Sequence, residues 1–243
     1  MTWRTRYNQV RMDTDARPAR LWGRRKAPDQ VFARQAVGVC ELYSKLLREA
    51  TPVPAHTGWI SIQAFSPGTA SGPEADFEVE AVAPRERGES IVAVLDPAIL
   101  ERPLVDRPEA YLRWLQPLLL RLADARGVPA AGFDETFSAC LEAGCLLRWQ
   151  GPTRSSPDRR HRATPHYRFD SHGDAWVEVQ VHDRNGELVA RNDPWNAEIS
   201  LRLWRQSAAT LRWLTPTTIG MQPVLPAITR GWGIPRKRIM EIS

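Results

Sequence analysis

Four side chains that could act on a phosphodiester lie within eight residues of one another. They are His161, His166, Tyr167 and Arg168, at the C-terminal end of a strongly basic stretch. In RNA, a neighbouring 2′-hydroxyl can attack the phosphate while histidine or tyrosine moves the protons and arginine stabilises the developing charge. Such a cleavage needs no metal. We therefore predict His161, His166 and Tyr167 as the catalytic residues if the chain is a metal-independent endoribonuclease.

Metal and cofactor chemistry finds less support in the sequence. Four of the five histidines lie between residues 161 and 182, but their spacing differs from ligand pairs such as HxxxH on a helix. The sequence contains no P-loop, no GxGxxG fingerprint and no GxSxG nucleophile elbow. We expect neither a metal site nor an organic cofactor.

The charges of the chain are unevenly distributed. Three basic segments, residues 1–26, 151–168 and 230–243, carry net charges of +6, +4 and +3. The whole chain carries +5, so the remaining residues together carry −8. An acidic body with three basic segments is the pattern expected of a protein that binds a polyanion, although three solvated loops would give the same arithmetic.

Aromatic residues accompany these basic segments. Single-stranded nucleic acid is held by stacking of its bases on aromatic rings and by arginine contacts to its backbone. We predict nucleic acid, RNA in the first instance, as the partner. The predicted binding residues are Arg4, Arg6, Arg24, Arg25, Arg159, Arg160, Arg162, Arg168, Arg236, Arg238, Trp22 and Trp232.

A protein partner is the alternative. Tryptophan and arginine are also the residues that dominate protein interfaces, and an inhibitor, an immunity-type protein or an assembly subunit would show the same composition. Binding to nucleic acid should weaken steeply with salt, whereas binding through a hydrophobic interface should not. No run of about 18 apolar residues is present, so we expect no membrane span.

The cysteines indicate the compartment. There are three, an odd number without CxxC spacing, which favours neither a disulfide framework nor a zinc site. The arginine-rich N-terminus lacks the apolar region of a secretory signal. We expect a cytoplasmic protein.

The elements that must position these residues follow from apolar periodicity. Apolar residues recur with helical spacing in 29–49, 107–126 and 134–147. Alternation predicts strands at 3–11, 59–65, 77–83, 91–95, 166–170, 174–183 and 187–191. Asn185-Gly186 predicts a type I′ hairpin, 151–165 a basic loop, and 194–214 either a helix or, with slight preference, a second hairpin.

This order predicts an α+β fold. We expect antiparallel sheets, with a helix-containing N-terminal half whose opening order is compatible with a ferredoxin-like start, and a strand-rich C-terminal half. The predicted organisation is an N-terminal α+β half over 1–150, a basic loop or linker over 151–165, and a strand-rich half with a basic tail over 166–243. One continuous domain is the alternative.

Overall fold

The computed structural model describes residues 5–12, 27–67, 77–80, 88–224 and 238–242. The chain divides into two units, the first comprising Met1–Leu147 with Ser171–Gly173 and the second Arg148–Asp170 with Asp174–Ser243. Helices and sheets occur in segregated groups, and the predicted α+β class is confirmed. None of the helices in the described ranges is both long and apolar enough to cross a bilayer.

The first unit contains most of the helices. Its elements are β1 (Thr5–Arg6), β2 (Gln9–Met12), α1 (Ala27–Leu47), β3 (Pro54–Ala55), β4 (Trp59–Phe65), β5 (Phe77–Glu80), β6 (Gly88–Val94), α2 (Ala98–Glu101), a 3-10 turn (Leu104–Asp106), α3 (Arg107–Arg126) and α4 (Ala131–Glu142).

The main sheet of the first unit is mixed rather than antiparallel. Its order is β2-β4-β6-β5, and only β5 runs against its neighbour. Because α1 connects β2 to β4 as a crossover, these two strands pair in parallel. The ferredoxin-like start is not confirmed, since a split βαβ motif leaves room for a strand between the two strands that here pair directly.

Helix α1 has the predicted core stripe. Phe32, Val39 and Tyr43 are each at most 1% exposed. The Ser44 hydroxyl accepts a hydrogen bond from the backbone N–H of Val10 (2.8 Å) and donates one to the Val10 carbonyl (2.7 Å). The helix therefore both buries its apolar stripe and satisfies the backbone groups of an edge strand.

The second unit contains most of the strands. Its elements are β7 (Arg148–Gln150), β8 (Arg154–Ser155), β9 (His161–Phe169), β10 (Ala175–Asp183), β11 (Leu188–Arg191), β12 (Trp195–Ala197), α5 (Leu201–Ala209), β13 (Arg212–Thr215), β14 (Thr218–Met221) and β15 (Arg238–Glu241). A six-stranded antiparallel sheet has the order β11-β10-β9-β7, with β12 also on β10 and β8 also on β9; β13-β14-β15 form a smaller sheet.

The basic loop predicted over 151–165 is wrong in its second half. Residues 161–165 belong to β9, which pairs with β10 on one side and with β7 and β8 on the other. Proline is tolerated in this central strand because its missing N–H faces the break between β7 and β8, where the Pro165 carbonyl accepts from the N–H of Gly151 (2.8 Å). Residues 148–170 all belong to the second unit.

Two further details differ from the sequence predictions. The second hairpin preferred over 194–214 is wrong, because α5 buries Leu201, Trp204 and Ala208 with helical spacing. The hairpin between β10 and β11 is confirmed, but its turn is not type I′. Gly186 has φ +87°, whereas Asn185 is not left-handed and donates its backbone N–H to the Asp183 carboxylate (2.9 Å).

Candidate functional site

Side chains of the six-stranded sheet alternate between a core face and an outer face. Along β10, Val177, Val179 and Val181 are buried, and their neighbours are half-buried. We call the opposite set the outer face, and cross-strand register assigns its members. They are Arg148, Gln150, Arg162, Thr164, His166, Arg168, Trp176, Glu178, Gln180, His182 and Arg191.

Two arginines oppose each other on adjacent strands of this face. Arg148 of β7 is the direct partner of Arg168 of β9, and Trp176 of β10 is the next residue in the same row. Both arginines are exposed. Like charges directly opposed across a sheet destabilise it, so this pair does not contribute to the stability of the fold.

The outer face is strongly basic. Four exposed arginines, at positions 148, 162, 168 and 191, lie on it. Glu178 is the one acidic member of the defined set, and Asp170 follows β9 at its end. In the ranges that the structure describes, no ion pair links either of Arg148 and Arg168 to a carboxylate. Their charges are available to an anionic ligand.

A cavity of about 480 Å³ opens among these side chains. It is lined by Arg148, Trp149, Gln150, His166, Tyr167, Arg168, Glu178 and Gln180. Trp149 and Tyr167 occupy core-facing positions of their strands, so they border the cavity from the core side of the sheet. The rest of the lining offers cations, amides, an imidazole and a carboxylate to one ligand.

His166 and Glu178 are direct cross-strand partners in this cavity. Partial burial lowers the pKa of His166, Glu178 opposes that shift, and nearby His182 lowers the pKa further. The lowered pKa favours the neutral form of the imidazole. A neutral imidazole has one donor and one acceptor nitrogen to offer.

Trp176 is held in place on the outer face. Its indole N–H donates to Oδ2 of Asp170 (2.7 Å), and Oδ1 of the same carboxylate accepts from the backbone N–H of Asp174 (3.0 Å). Trp176 is the cross-strand partner of Arg168, in the row described above. A fixed, half-buried ring next to exposed guanidinium groups suits the stacking of a planar ligand.

The three predicted catalytic residues are not brought together. His166 lies on the outer face, whereas Tyr167 is 2% exposed on the core face, stacked on Trp204 with ring centroids 5.2 Å apart. The Tyr167 hydroxyl donates to the Met221 sulfur (3.5 Å), and burial raises the pKa of this phenol. Consecutive strand residues point to opposite faces, so His166 and Tyr167 cannot serve one phosphate.

His161 also lies off the outer face. It begins β9 opposite Asp183, and its ring stacks on Trp213 with centroids 6.2 Å apart. Its buried Nδ1 has no hydrogen-bond partner among the described residues. The alternation of β9 separates it from His166 as it separates Tyr167.

The predicted binding residues lie in different parts of the structure. Arg162 and Arg168 lie on the outer face. Arg159, with φ +59°, and Arg160, which pairs with Asp158 (3.8 Å), lie in the turn before β9. Arg6 belongs to β1 of the first unit. The other predicted residues, namely Arg4, Trp22, Arg24, Arg25, Trp232 and Arg236, lie outside the described residues.

Arg238 is half-buried rather than surface-exposed. It begins β15 opposite Met221 and lies over the ring of Trp195, with its guanidinium carbon 5.6 Å from the ring centroid. Burial lowers its pKa, while Tyr167 and Glu198 oppose the shift. Its environment is the core side of the sheet, so it does not contribute to the outer face.

The sequence predictions did not include eight of the eleven outer-face residues, namely Arg148, Gln150, Thr164, Trp176, Glu178, Gln180, His182 and Arg191. The signal for Glu178 and Gln180 was present in the alternation of β10. The same alternation applied to 161–169 would have grouped His166 with Arg162 and Arg168. It was obscured because small or weakly apolar residues, Ala163 and Pro165, occupy the core positions.

Comparisons with protein-family models, curated proteins and solved structures return no match for this chain. Within the described ranges, no group of three or more histidine, cysteine, aspartate or glutamate side chains could hold a metal ion. The outer face is therefore interpreted from its own geometry and charge.

Proposed function

We propose that this protein binds single-stranded nucleic acid, RNA in the first instance, across the outer face. The observation that carries the proposal is the row Arg148–Arg168–Trp176, in which two opposed cations stand beside a fixed aromatic ring. Phosphates would relieve the repulsion between the two guanidinium groups by lying between them. An aromatic ring in the same row gives an adjacent base a surface on which to stack.

The spread of charge favours an extended ligand. Four rows follow one another along β9 and β10, and their β9 members are Arg168, His166, Thr164 and Arg162 in turn. An arginine stands in the first, third and fourth rows, the third through Arg191 of β11, while His166 and Glu178 occupy the second. Residues two apart on a strand are about 6.6 Å apart. That spacing is of the order of the distance between successive phosphates in an extended strand, so several could be contacted at once.

The arrangement favours binding over cleavage. General acid–base cleavage needs proton-transfer groups at a single phosphate, and of the three residues predicted for this role only His166 reaches the outer face. His182 is a second imidazole on that face, and it lies on β10 four residues after Glu178, the cross-strand partner of His166. Cleavage is therefore an outcome to be looked for in the binding experiment rather than part of the proposal.

The compartment that we propose is the cytoplasm, where RNA is abundant. Cys40, Cys140 and Cys145 are all buried, free thiols. Burial raises the pKa of both the Cys40 and the Cys140 thiol to about 12, so neither forms a reactive thiolate. Free thiols of this kind are typical of proteins in a reducing compartment.

A protein-interaction module is the second candidate, and one observation favours it. Strand β11 lies at the edge of the sheet with Leu188 50% and Val189 45% exposed. Within the described part of the chain, no strand pairs with its far side. An exposed apolar edge can add a strand from another protein.

The binding proposal is tested by fluorescence anisotropy with a fluorescein-labelled, 12-nucleotide single-stranded RNA in 50 mM NaCl. The test variant is Arg148→Ala/Arg168→Ala. The matched control is Arg202→Ala/Arg205→Ala, which removes the same charge from exposed positions of α5, the helix whose Trp204 packs on the core-facing Tyr167. We expect the test variant to bind about tenfold more weakly or worse, because two charge-assisted contacts are lost.

The control variant should change the affinity by less than about twofold, since a general loss of charge acts only at long range. Equal losses in both variants, or no binding by the wild-type protein, would overturn the proposal. Binding of a protein ligand that survives high salt would instead support the edge of β11 as the functional surface. Gel electrophoresis of the same RNA after incubation detects any cleavage.

A further inference from the structure

Glu178 is out of place on a surface that binds only phosphates. It lies in the cavity among the arginines of the outer face, directly opposite His166. Throughout the described residues, no ion pair involves its carboxylate. A carboxylate there repels a phosphate backbone, so its position calls for a ligand group other than phosphate.

The Glu178 carboxylate is also oriented. The side-chain amide of Gln180, two residues along the same strand, donates to its Oε1 at 2.7 Å. That bond restrains the carboxylate and leaves acceptor positions on both oxygens, since each oxygen has two lone pairs. An oriented carboxylate is a recognition group for two neighbouring N–H donors.

Among the four RNA bases, guanine alone has two adjacent donors on its Watson–Crick edge, the ring N1–H and the exocyclic 2-amino group. Adenine and cytosine place an acceptor beside their amino group, and the uracil N–H is flanked by two carbonyls. A carboxylate therefore pairs with two donors of guanine but meets an acceptor in each of the others. The opposite edge of guanine, O6 and N7, accepts from arginine.

The cavity has the size and the walls for such a base. Its volume of about 480 Å³ exceeds that of a nucleobase, and Arg148 and Arg168 stand on its wall as donors or as planes for stacking. We propose that the cavity takes up one guanine of a single-stranded nucleic acid, with Glu178 accepting hydrogen bonds from N1–H and the 2-amino group. This inference rests on the proposed function and adds base specificity to it.

The test compares fluorescein-labelled octamers by anisotropy in 50 mM NaCl. One strand is all uridine, and three others carry a single guanosine, adenosine or inosine at the fourth position. Inosine keeps N1–H, O6 and N7 but lacks the 2-amino group. We expect the wild-type protein to bind the guanosine strand about tenfold more tightly than the uridine and adenosine strands, with inosine in between.

The variant Glu178→Gln should lose this preference. Its affinity for the all-uridine strand should be unchanged or higher, because a negative charge has been removed from a basic face. A residue with a merely structural role would lower both affinities together. The matched control is Glu187→Gln, which removes the same charge from an exposed position in the turn between β10 and β11, and it should keep the guanosine preference.

The outcomes separate this inference from the proposed function. Equal binding of all four strands by the wild-type protein overturns guanine recognition and leaves nucleic-acid binding intact. A guanosine preference that persists in Glu178→Gln also overturns it. Failure to bind any strand overturns both proposals. If Glu178→Gln does not fold, the wild-type comparison of guanosine with inosine decides alone, and equal affinities overturn the role of the 2-amino donor.

Discussion

His166 and Tyr167 are neighbours in sequence with separate roles in the structure. The imidazole lies in the cavity opposite Glu178, whereas the phenol packs on Trp204 and donates to the Met221 sulfur. Proximity along a strand therefore does not make a catalytic pair, because the pleat sends consecutive side chains to opposite faces. This difference between the two residues can be measured.

Tyr167→Phe should leave both RNA affinity and stability nearly unchanged. The hydroxyl makes one weak contact, to a sulfur at 3.5 Å, and it does not reach the outer face. Tyr167→Ala should cost about 3–5 kcal/mol of unfolding free energy, because it removes an aromatic ring from the core. Urea denaturation measures the stability of each variant, and fluorescence anisotropy of the folded protein measures its RNA affinity. A tenfold loss of affinity in Tyr167→Phe would contradict a purely structural role for this residue.

The burial of His166 predicts a pH dependence of stability. Its pKa in the folded protein lies below the ordinary value, so the folded state takes up the proton less readily than the unfolded chain. Unfolding free energy should therefore fall as the pH drops below about 6.5 and towards the lowered pKa. Between pH 7.5 and pH 5.0, the melting temperature should decrease more in the wild-type protein than in His166→Gln. Equal decreases in the two proteins would contradict the assignment of this pH dependence to His166.

At the level of elements, helices were predictable where the apolar stripe was complete. The stripe of α1 recurs every three or four residues, and its members are buried as expected except Leu46, which is half-buried. The first half of strand β9 was not predictable, because its outer positions hold charged and polar side chains while its core positions include Ala163 and Pro165. A sheet with one polar face needs only every second residue to be apolar, and two weak positions suffice to hide the pattern.

Substitutions in α1 test the predicted core of the first unit. Val39→Asp places a charge at a position that is 1% exposed. It should unfold the unit, since the free-energy cost of burying an unpaired charge exceeds the unfolding free energy of a typical domain. Val31→Asp makes the same chemical change on the same helix at a position that is 43% exposed, and it should cost less than about 1 kcal/mol. Circular dichroism during thermal unfolding measures both, and similar melting temperatures for the two variants would contradict the assignment of the core.

At the scale of the whole molecule, the order of the predicted elements gave the fold class but not the pairing of the strands. The α+β order follows from periodicity, whereas the parallel pairing of β2 with β4 depends on the crossover through α1. Charge segregation along the chain identified Arg162 and Arg168. It did not identify Arg148 and Arg191, because strand register brings them to the same face from outside the basic segments. The convergence of the three basic segments stays a prediction.

The salt dependence of RNA binding tests the central claim most directly. The outer face offers arginines at positions 148, 162, 168 and 191, and each phosphate contact to a single strand contributes about 0.7 to the slope of log affinity against log salt. Replacing all four by alanine should lower that slope by about 2.8, while circular dichroism shows that the sheet remains folded. A wild-type protein whose affinity does not respond to salt, or a quadruple variant with the wild-type slope, would contradict the account.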